Sequence, residues 1–379
     1  MVYFLSHRFP LKWLEFPAVY NIAKDELYEL DEAAFDFLRR CADEKGCESG
    51  QCDRDFLDYV TKEGILSAER LTVKHPPLQK TTHPSLRYLE LQITRQCNLW
   101  CKHCYMGPSE DVELPLKKVV DLLEEFEEMQ GLRLLVTGGE PLLHRDFKGI
   151  NDALSDYAFR KVLFTNGTLL SEKVVRNLHV DEIQISIDGL EPGHDALRGG
   201  GTFRRAMNAI ETARGMGMDV SVSTMVHSKN LQDFDAMEYL FKEMGIKDWS
   251  VDVPCVEGNL KNNALFQVRP EIAGRYLGYG FGEGLHGGGQ GFACGLHLVS
   301  VMADGKVARC SFYSGRPVGT ADEGLHVCWR RIVPQRIEEL ACDCSVKDVC
   351  RGGCRFRAEL IGNSHGKDIC RCYAYGMNP

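Results

Sequence analysis

The chain has 379 residues, 44% of them hydrophobic and 26% charged, the composition of an ordinary globular protein with room for two or three domains. Its formal net charge of −9 argues against nonspecific binding to nucleic acid or to an anionic membrane surface. No apolar stretch approaches the roughly 20 residues that span a bilayer, and residues 1–10 lack a basic-then-apolar export signal, so a cytoplasmic location is expected.

Sixteen cysteines would mean disulfides in a small secreted protein. In a long chain without an export signal they point to metal clusters or reactive thiols, and to a reducing, oxygen-poor compartment. Three fall at 41–52, three at 97–104, one at 255 and nine from Cys294 to Cys372.

In chain order, residues 16–30 alternate apolar and polar side chains around Lys24 and Asp25, which predicts a β-hairpin. Asp31 then caps a helix over 31–41, and a second amphipathic segment covers 54–63. Cys41, Cys47 and Cys52 match no cluster spacing and are expected to be free thiols. The proline-rich run from Lys74 to Pro84 reads as a linker, so a module at 1–75 is joined through 76–85 to a larger region that begins at residue 86.

From residue 86 the pattern changes. Strand-like segments at 86–93, 132–137, 161–165, 182–187, 219–226 and 247–253 alternate with helical segments that include 116–129, 171–178, 203–216 and 231–244. Such alternation predicts a parallel α/β sheet with right-handed crossovers, whose chemistry gathers at the carboxyl ends of the strands. The first strand runs into Cys97-Asn-Leu-Trp-Cys101-Lys-His-Cys104. Three thiols at this spacing can hold one cubane and leave its fourth iron open, whereas a zinc site usually takes four ligands as two separated pairs. The second strand ends in Thr137-Gly138-Gly139-Glu140-Pro141, where the glycines permit close backbone approach and the carboxylate can accept from an ammonium group. Asn166 follows the third strand, as a ligand contact or a turn residue. Ser186 and Asp188 share one face of the fourth, and Arg198 opens the next loop, as a carboxylate partner or a surface arginine.

The nine cysteines of the tail comprise Cys294, Cys310 across an Asp304-Gly305-Lys306 hairpin, Cys328, the Cys342/Cys344 pair, Cys350, Cys354 and the Cys370/Cys372 pair. Two further cubanes need about eight ligands, so the number suffices. A zinc domain is the alternative. Cys255, on the last strand, is expected to be a packing residue.

These motifs together resemble the radical SAM/SPASM peptide maturases. The resemblance implies a partial (β/α)6 TIM-type barrel at 86–260, an N-terminal winged-helix-like module similar to PqqD at 1–75, and a C-terminal Cys-rich SPASM domain at 261–379. It implies S-adenosylmethionine as cofactor and three [4Fe–4S] clusters. Cys97, Cys101 and Cys104 would hold the first, and Gly138, Gly139 and Glu140 would meet the methionine amino group. His103 would pack on adenine, Asn166, Ser186 and Asp188 would lie at the ribose, and Arg198 would pair with the methionine carboxylate.

By position, Cys294, Cys310 and Cys354 would hold a first auxiliary cluster, completed by Cys328 or left with an open iron. Cys342, Cys344, Cys350 and one of Cys370 and Cys372 would hold the second. The family has two residues between the members of the Cys342/Cys344 pair, and here there is one. The implied activity is reductive cleavage of S-adenosylmethionine to a 5′-deoxyadenosyl radical, and oxidative cross-linking of a leader-bearing precursor peptide through a thioether or carbon–carbon bond. Flavodoxin or ferredoxin would supply the electron. Oxidation or decarboxylation of a haem or quinone precursor, sulfatase maturation, and a non-catalytic iron–sulfur or zinc protein are the alternatives.

Overall fold

The computed structural model describes residues 1–48, 50, 52–69, 76, 78–282 and 291–379. The end of the expected module, at 70–75, position 77 of the expected linker and positions 283–290 of the expected tail domain lie outside the described residues.

Among its described residues the N-terminal module holds two small antiparallel sheets and two α-helices. Its elements are β1 (Val2–Leu5), β2 (Leu11–Trp13), β3 (Pro17–Asn21), β4 (Glu26–Glu29), α1 (Glu32–Cys41), β5 (Cys47–Glu48), α2 (Arg54–Lys62) and β6 (Leu66–Ser67). The expected hairpin is β3–β4, paired from Ala18↔Glu29 to Asn21↔Glu26. Asn21 Oδ1 accepts from the N–H groups of Ala23 and Lys24, and Asp25 takes the left-handed conformation that closes the turn, with φ at 65°. Asp31 caps α1 by accepting from the Ala34 N–H at 2.7 Å. Strand orders are β2-β3-β4 and β5-β1-β6.

The second part begins with β7 (Tyr88–Thr94) and continues α3 (Leu116–Glu128), β8 (Arg133–Gly138), α4 (Phe147–Leu154), β9 (Arg160–Thr165), α5 (Glu172–Arg176), β10 (Glu182–Ser186), α6 (Glu191–Arg198), α7 (Thr202–Gly215), β11 (Asp219–Met225), α8 (Phe234–Glu243) and β12 (Trp249–Asp252). The six strands β7 to β12 are parallel and lie side by side in sequence order, as a partial barrel requires. On β7 the odd residues Leu89, Leu91 and Ile93 pack with Val119, Leu122, Leu123 and Phe126 of α3 in an apolar layer. The even residues Glu90 and Gln92 face the other way, toward Ser300 and Tyr105.

Two helices were not expected. One is α4. The other, α6, ends at Arg198, so this arginine closes a helix rather than opening a loop.

The tail adds α9 (Pro270–Tyr276), β13 (Leu298–Val301), β14 (Lys306–Ala308), β15 (Gly319–Thr320), α10 (Leu325–Arg331), α11 (Lys347–Cys350), α12 (Arg355–Leu360) and α13 (Ile369–Ala374). The hairpin expected around Gly305 is β13–β14, and β13 also pairs in parallel with β7, from Leu298↔Tyr88 to Val301↔Leu91. One nine-stranded sheet therefore runs across residue 260, where the tail was expected to begin.

The module packs against the amino ends of the parallel strands. Arg160, fully buried at the start of β9, donates to the carbonyls of Ile22 and Ala23 at 2.8 and 2.9 Å and to Glu182 and Asp219 at 2.8 and 2.9 Å. Lys12 Nζ donates to Gly131 O at 2.7 Å, Arg133 pairs with Asp25, and Leu14, Tyr20 and Ile22 pack on Leu132. The hairpin turn thus seals the end of the sheet opposite the cysteine loop.

Candidate functional site

The cysteine loop leaves the carboxyl end of β7 and is seated by backbone before any ligand is considered. Gly139 N–H donates to Thr94 O at 2.8 Å, and Glu140 N–H to Gln96 O at 2.7 Å. A Cβ on Gly138 would lie 2.4 Å from Thr94 O, and one on Gly139 would lie 2.3 Å from Gln96 O. The glycines therefore admit the backbone of 94–96, the segment that launches the loop. On its other flank Asn259 donates from its N–H to Cys104 O at 2.9 Å and from Nδ2 to Cys101 O at 3.0 Å. A Cβ on Gly258 would collide with Cys104 O at 2.3 Å. The loop is clamped from both sides.

Cys104 lies close enough to Cys97 and Cys101, and Cys97 to Cys101, to help raise their thiols. Burial raises the Cys97 thiol and pushes Cys101 up to about 11, and Arg198 opposes both shifts, with its Nη1 3.9 Å from Cys101 Sγ. A buried cation beside three thiols is what burying thiolates requires.

Glu140 is fully buried and its carboxylate is already bonded. It accepts from Thr165 Oγ1 at 2.8 and 2.9 Å, from the Asn166 N–H at 2.9 Å and from the Leu142 N–H at 3.3 Å. Burial raises it to about 7, with those donors opposing. Thr165, at the end of β9 next to Asn166, thus holds Glu140, a role that the residue spacing does not reveal.

Asn166 performs a turn role, accepting from the Thr168 N–H at 2.9 Å, and it also reaches the cysteine loop, donating to Asn98 Oδ1 at 2.9 Å. Ser186 ends β10. Asp188 is fully buried: its carboxylate accepts from the Met225 N–H and from Arg198 Nε, and lies 4.0 Å from His103 Nε2. Burial would raise this carboxyl, but Arg198, then His103 and His194, hold it well below the carboxylate range. His227 Nε2 and Asn230 Nδ2 bond the Asp188 carbonyl at 2.8 and 3.2 Å, and the Asp188 N–H donates to His194 Nδ1 at 3.1 Å. Burial lowers His103 to about 3 and His194 to about 4, so both are neutral. Arg198 is consequently the fixed positive charge beside the thiols. His103 Nδ1 is buried with no hydrogen-bond partner, and a cleft of about 480 Å³ lined by Trp100, Lys102, Arg198 and Gly200 adjoins the loop. An all-sulfur donor set, a buried cation and an unsatisfied imidazole nitrogen fit an anionic cluster with a polar ligand beside it.

In the tail, Cys294, Cys310 and Cys354 lie within electrostatic reach of one another. Cys328 does not join them. Its thiol is fully buried in the apolar layer with Leu325 and Trp329 and donates to Thr320 O at 3.4 Å, because α10 packs on the α3 side of the sheet. Cys342, Cys344, Cys350 and Cys372 line one small cavity with Gly352 and Arg371. Cys370 instead belongs to the apolar cluster that includes Ala273 and Leu277, where α13 packs on α9. Among the described residues, no group of three or more His, Cys, Asp and Glu has the geometry of a single-metal-ion site, and no helix is long and apolar enough to cross a membrane.

Comparison with known proteins agrees with this geometry. The chain is 29% identical over 189 residues to the AdoMet-dependent heme synthase of Nitratidesulfovibrio vulgaris, covering 48% of this chain and 51% of that protein. It is 30% identical over 164 residues to the mycofactocin maturase MftC of Mycolicibacterium smegmatis, covering 41% and 42%. It thus spans about half the length of the curated relatives it matches. In fold it is similar to Streptococcus suis SuiB bound to precursor peptide SuiA, with a TM-score of 0.67 at 15% identity over 97% of this chain and 100% of that one. Residues 91–240, which hold the cysteine loop and the strands from β8 to β11, match the Radical SAM superfamily model.

Proposed function

We infer that this protein is a radical SAM enzyme that oxidatively modifies a ribosomally made precursor peptide, forming a thioether or carbon–carbon cross-link. The observation that carries the reading is the cysteine loop, clamped between Gly139 and Asn259 with Arg198 at its thiols. Cys97, Cys101 and Cys104 would hold a [4Fe–4S] cluster, which with S-adenosylmethionine and an electron from a donor such as flavodoxin or ferredoxin would supply a 5′-deoxyadenosyl radical.

The chain's own residues bind and orient. Arg198 meets the methionine carboxylate only by sharing its guanidinium with Asp188, and His103 Nδ1 offers its unsatisfied nitrogen to the adenine. Asn166 and Thr165 act one step back, holding the loop and Glu140. Ser186 and Asp188 would stand at the ribose side, and the two tail groups, Cys294/Cys310/Cys354 and Cys342/Cys344/Cys350/Cys372, would hold auxiliary clusters able to supply electron transfer.

The peptide reading is supported by the relatives named mycofactocin maturase and by a SuiB-like fold along the whole chain. It is also supported by β4, an edge strand of the module's β2-β3-β4 sheet that can accept a peptide as an added strand. The relatives named heme synthase favour a second reading, oxidation or decarboxylation of a porphyrin-type cofactor precursor.

Anaerobic reconstitution tests both readings. About twelve irons per chain, four from each of three cubanes, are expected. With S-adenosylmethionine and a strong reductant, methionine and 5′-deoxyadenosine should form, and a candidate peptide should lose a pair of hydrogens. The seven residues of β7 separate the module from the cysteine loop by about 23 Å, so the leader must be followed by at least about seven extended residues before the modified one. Turnover of a porphyrin, with no peptide altered, would establish the second reading instead.

A further inference from the structure

The residue that sequence reasoning set aside as packing, Cys255, sits where the first tail group lacks a fourth sulfur. It comes just after β12 in Val253-Pro254-Cys255, is 3% exposed, and packs in one small cluster with Cys354, near enough for the two thiols to interact. The contact is built by a buried arginine. Arg357 on α12 donates to Asp252 Oδ1 at 2.5 Å and to Val253 O at 3.0 Å, and pairs with Asp368 Oδ2 at 2.9 Å. Asp368 in turn accepts from the Cys354 N–H at 2.7 Å. One guanidinium therefore straps the helix that begins after Cys354 to the end of the strand that leads to Cys255. Cys310 packs in the same small cluster, and Cys294 is within electrostatic reach of Cys354. Arg309 Nη2 bonds Cys294 O at 3.2 Å, which puts a second cation at the edge of the group. Four sulfurs and two arginines make a donor set for one anionic cluster.

We propose that Cys255 is the fourth thiolate of the cluster held by Cys294, Cys310 and Cys354, so that this cluster is closed by protein ligands and takes no substrate sulfur. The inference rests on the reading of the tail as a cluster-binding region. Coordination replaces the contact between the Cys255 and Cys354 thiols with two Fe–S bonds and releases both thiol protons to solvent. A closed cluster passes electrons and does not bind the peptide. The same segment that carries Cys255 continues into Gly258 and Asn259, which grip the cysteine loop, and Tyr105 just after that loop's last thiol packs at a tilt on Phe312 at 5.0 Å, with Phe312 stacked on Phe356 at 5.5 Å. The two sulfur groups are thus joined by packed protein, a short path for an electron.

The test uses the full chain with Cys97, Cys101 and Cys104 replaced by alanine, so that only auxiliary iron is read, and compares Cys255→Ala, Cys255→Ser and the buried control Cys328→Ala in that background. About eight irons per chain are expected in the parent and in the control. The reduced parent's electron paramagnetic resonance spectrum should not change on adding 2-mercaptoethanol. Cys255→Ala should lose about one iron as an open cubane decays to [3Fe–4S], or show a spectrum that changes with added thiol; Cys255→Ser should keep its iron with an altered spectrum. Circular dichroism equal to that of the control separates ligand loss from misfolding. A parent spectrum that responds to thiol, or a Cys255→Ala spectrum and iron content identical to the parent's, would overturn the assignment alone. A parent holding no iron would overturn the reading of the tail as well.

Discussion

Glu140 provides the sharpest electrostatic test of the site. It is fully buried, and burial raises its carboxyl from the usual 4.5 to about 7 even though Asn166, Thr165 and Leu142 all donate to it. A carboxyl whose folded-state pKa is raised stabilises the fold when protonated. That contribution is complete below pH 4.5 and is lost as pH rises through 7. At about 1.4 kcal/mol for each pH unit, the loss amounts to about 3 kcal/mol. For a chain of 379 residues the unfolding entropy is about 0.8 kcal/mol/K, so the effect on Tm is about 4 °C. The perturbation is Glu140→Gln, which stays neutral and keeps one acceptor oxygen; its own mismatch shifts stability by an amount independent of pH. The assay is thermal unfolding of the metal-free protein, under reducing conditions, from pH 5 to pH 8. The wild type should lose about 3 kcal/mol relative to the variant across that range. A difference that does not vary with pH, or that grows in the wild type's favour, would refute the burial argument.

Three other outcomes are expected from the packing. Gly139→Ala drives a methyl group into Gln96 O, 2.3 Å away; it should cost about 1–3 kcal/mol and remove the roughly four irons of the cysteine loop while auxiliary iron remains, as read by iron analysis. Cys372→Ser should lose auxiliary iron while Cys370→Ser retains it, since only Cys372 lines the cavity with Cys342, Cys344 and Cys350. Equal loss in both would show that the cavity is not the site. Arg160→Met leaves Glu182 buried without its cation and breaks two bonds to the hairpin turn. Urea unfolding should show a loss of about 3–5 kcal/mol, and a loss below about 1 kcal/mol would mean the module docks by its apolar contacts alone.

Much of the architecture was legible in the sequence, because it depends on period and spacing. The alternation of apolar segments marked all six parallel strands within about three residues at each end, a margin set by fraying at element ends. The turn at Asp25 and the cap at Asp31 were equally local. Helix α4 went unread, because its eight residues are too few for the 3.6-residue period to stand out. So did α6, whose start at Glu191-Pro192-Gly193 reads as a turn.

By itself the sequence determined what depends on neighbours along the chain: the three-thiol loop, the Gly-Gly-Glu after the second strand and the abundance of sulfur in the tail. Tertiary structure alone decided which partners meet across distance. It placed the glycines against the backbone of 94–96, turned Arg198 onto both Asp188 and Cys101, hid Cys328 in an apolar layer, chose Cys372 over Cys370 for the cavity, and brought Cys255 to Cys354 through Arg357. The physical reason is that a sulfur's partners are set by which strand end and which helix end are strapped together. That strapping is made by charges more than a hundred residues apart, as between Arg357 and Asp252, a separation at which residue spacing carries no information.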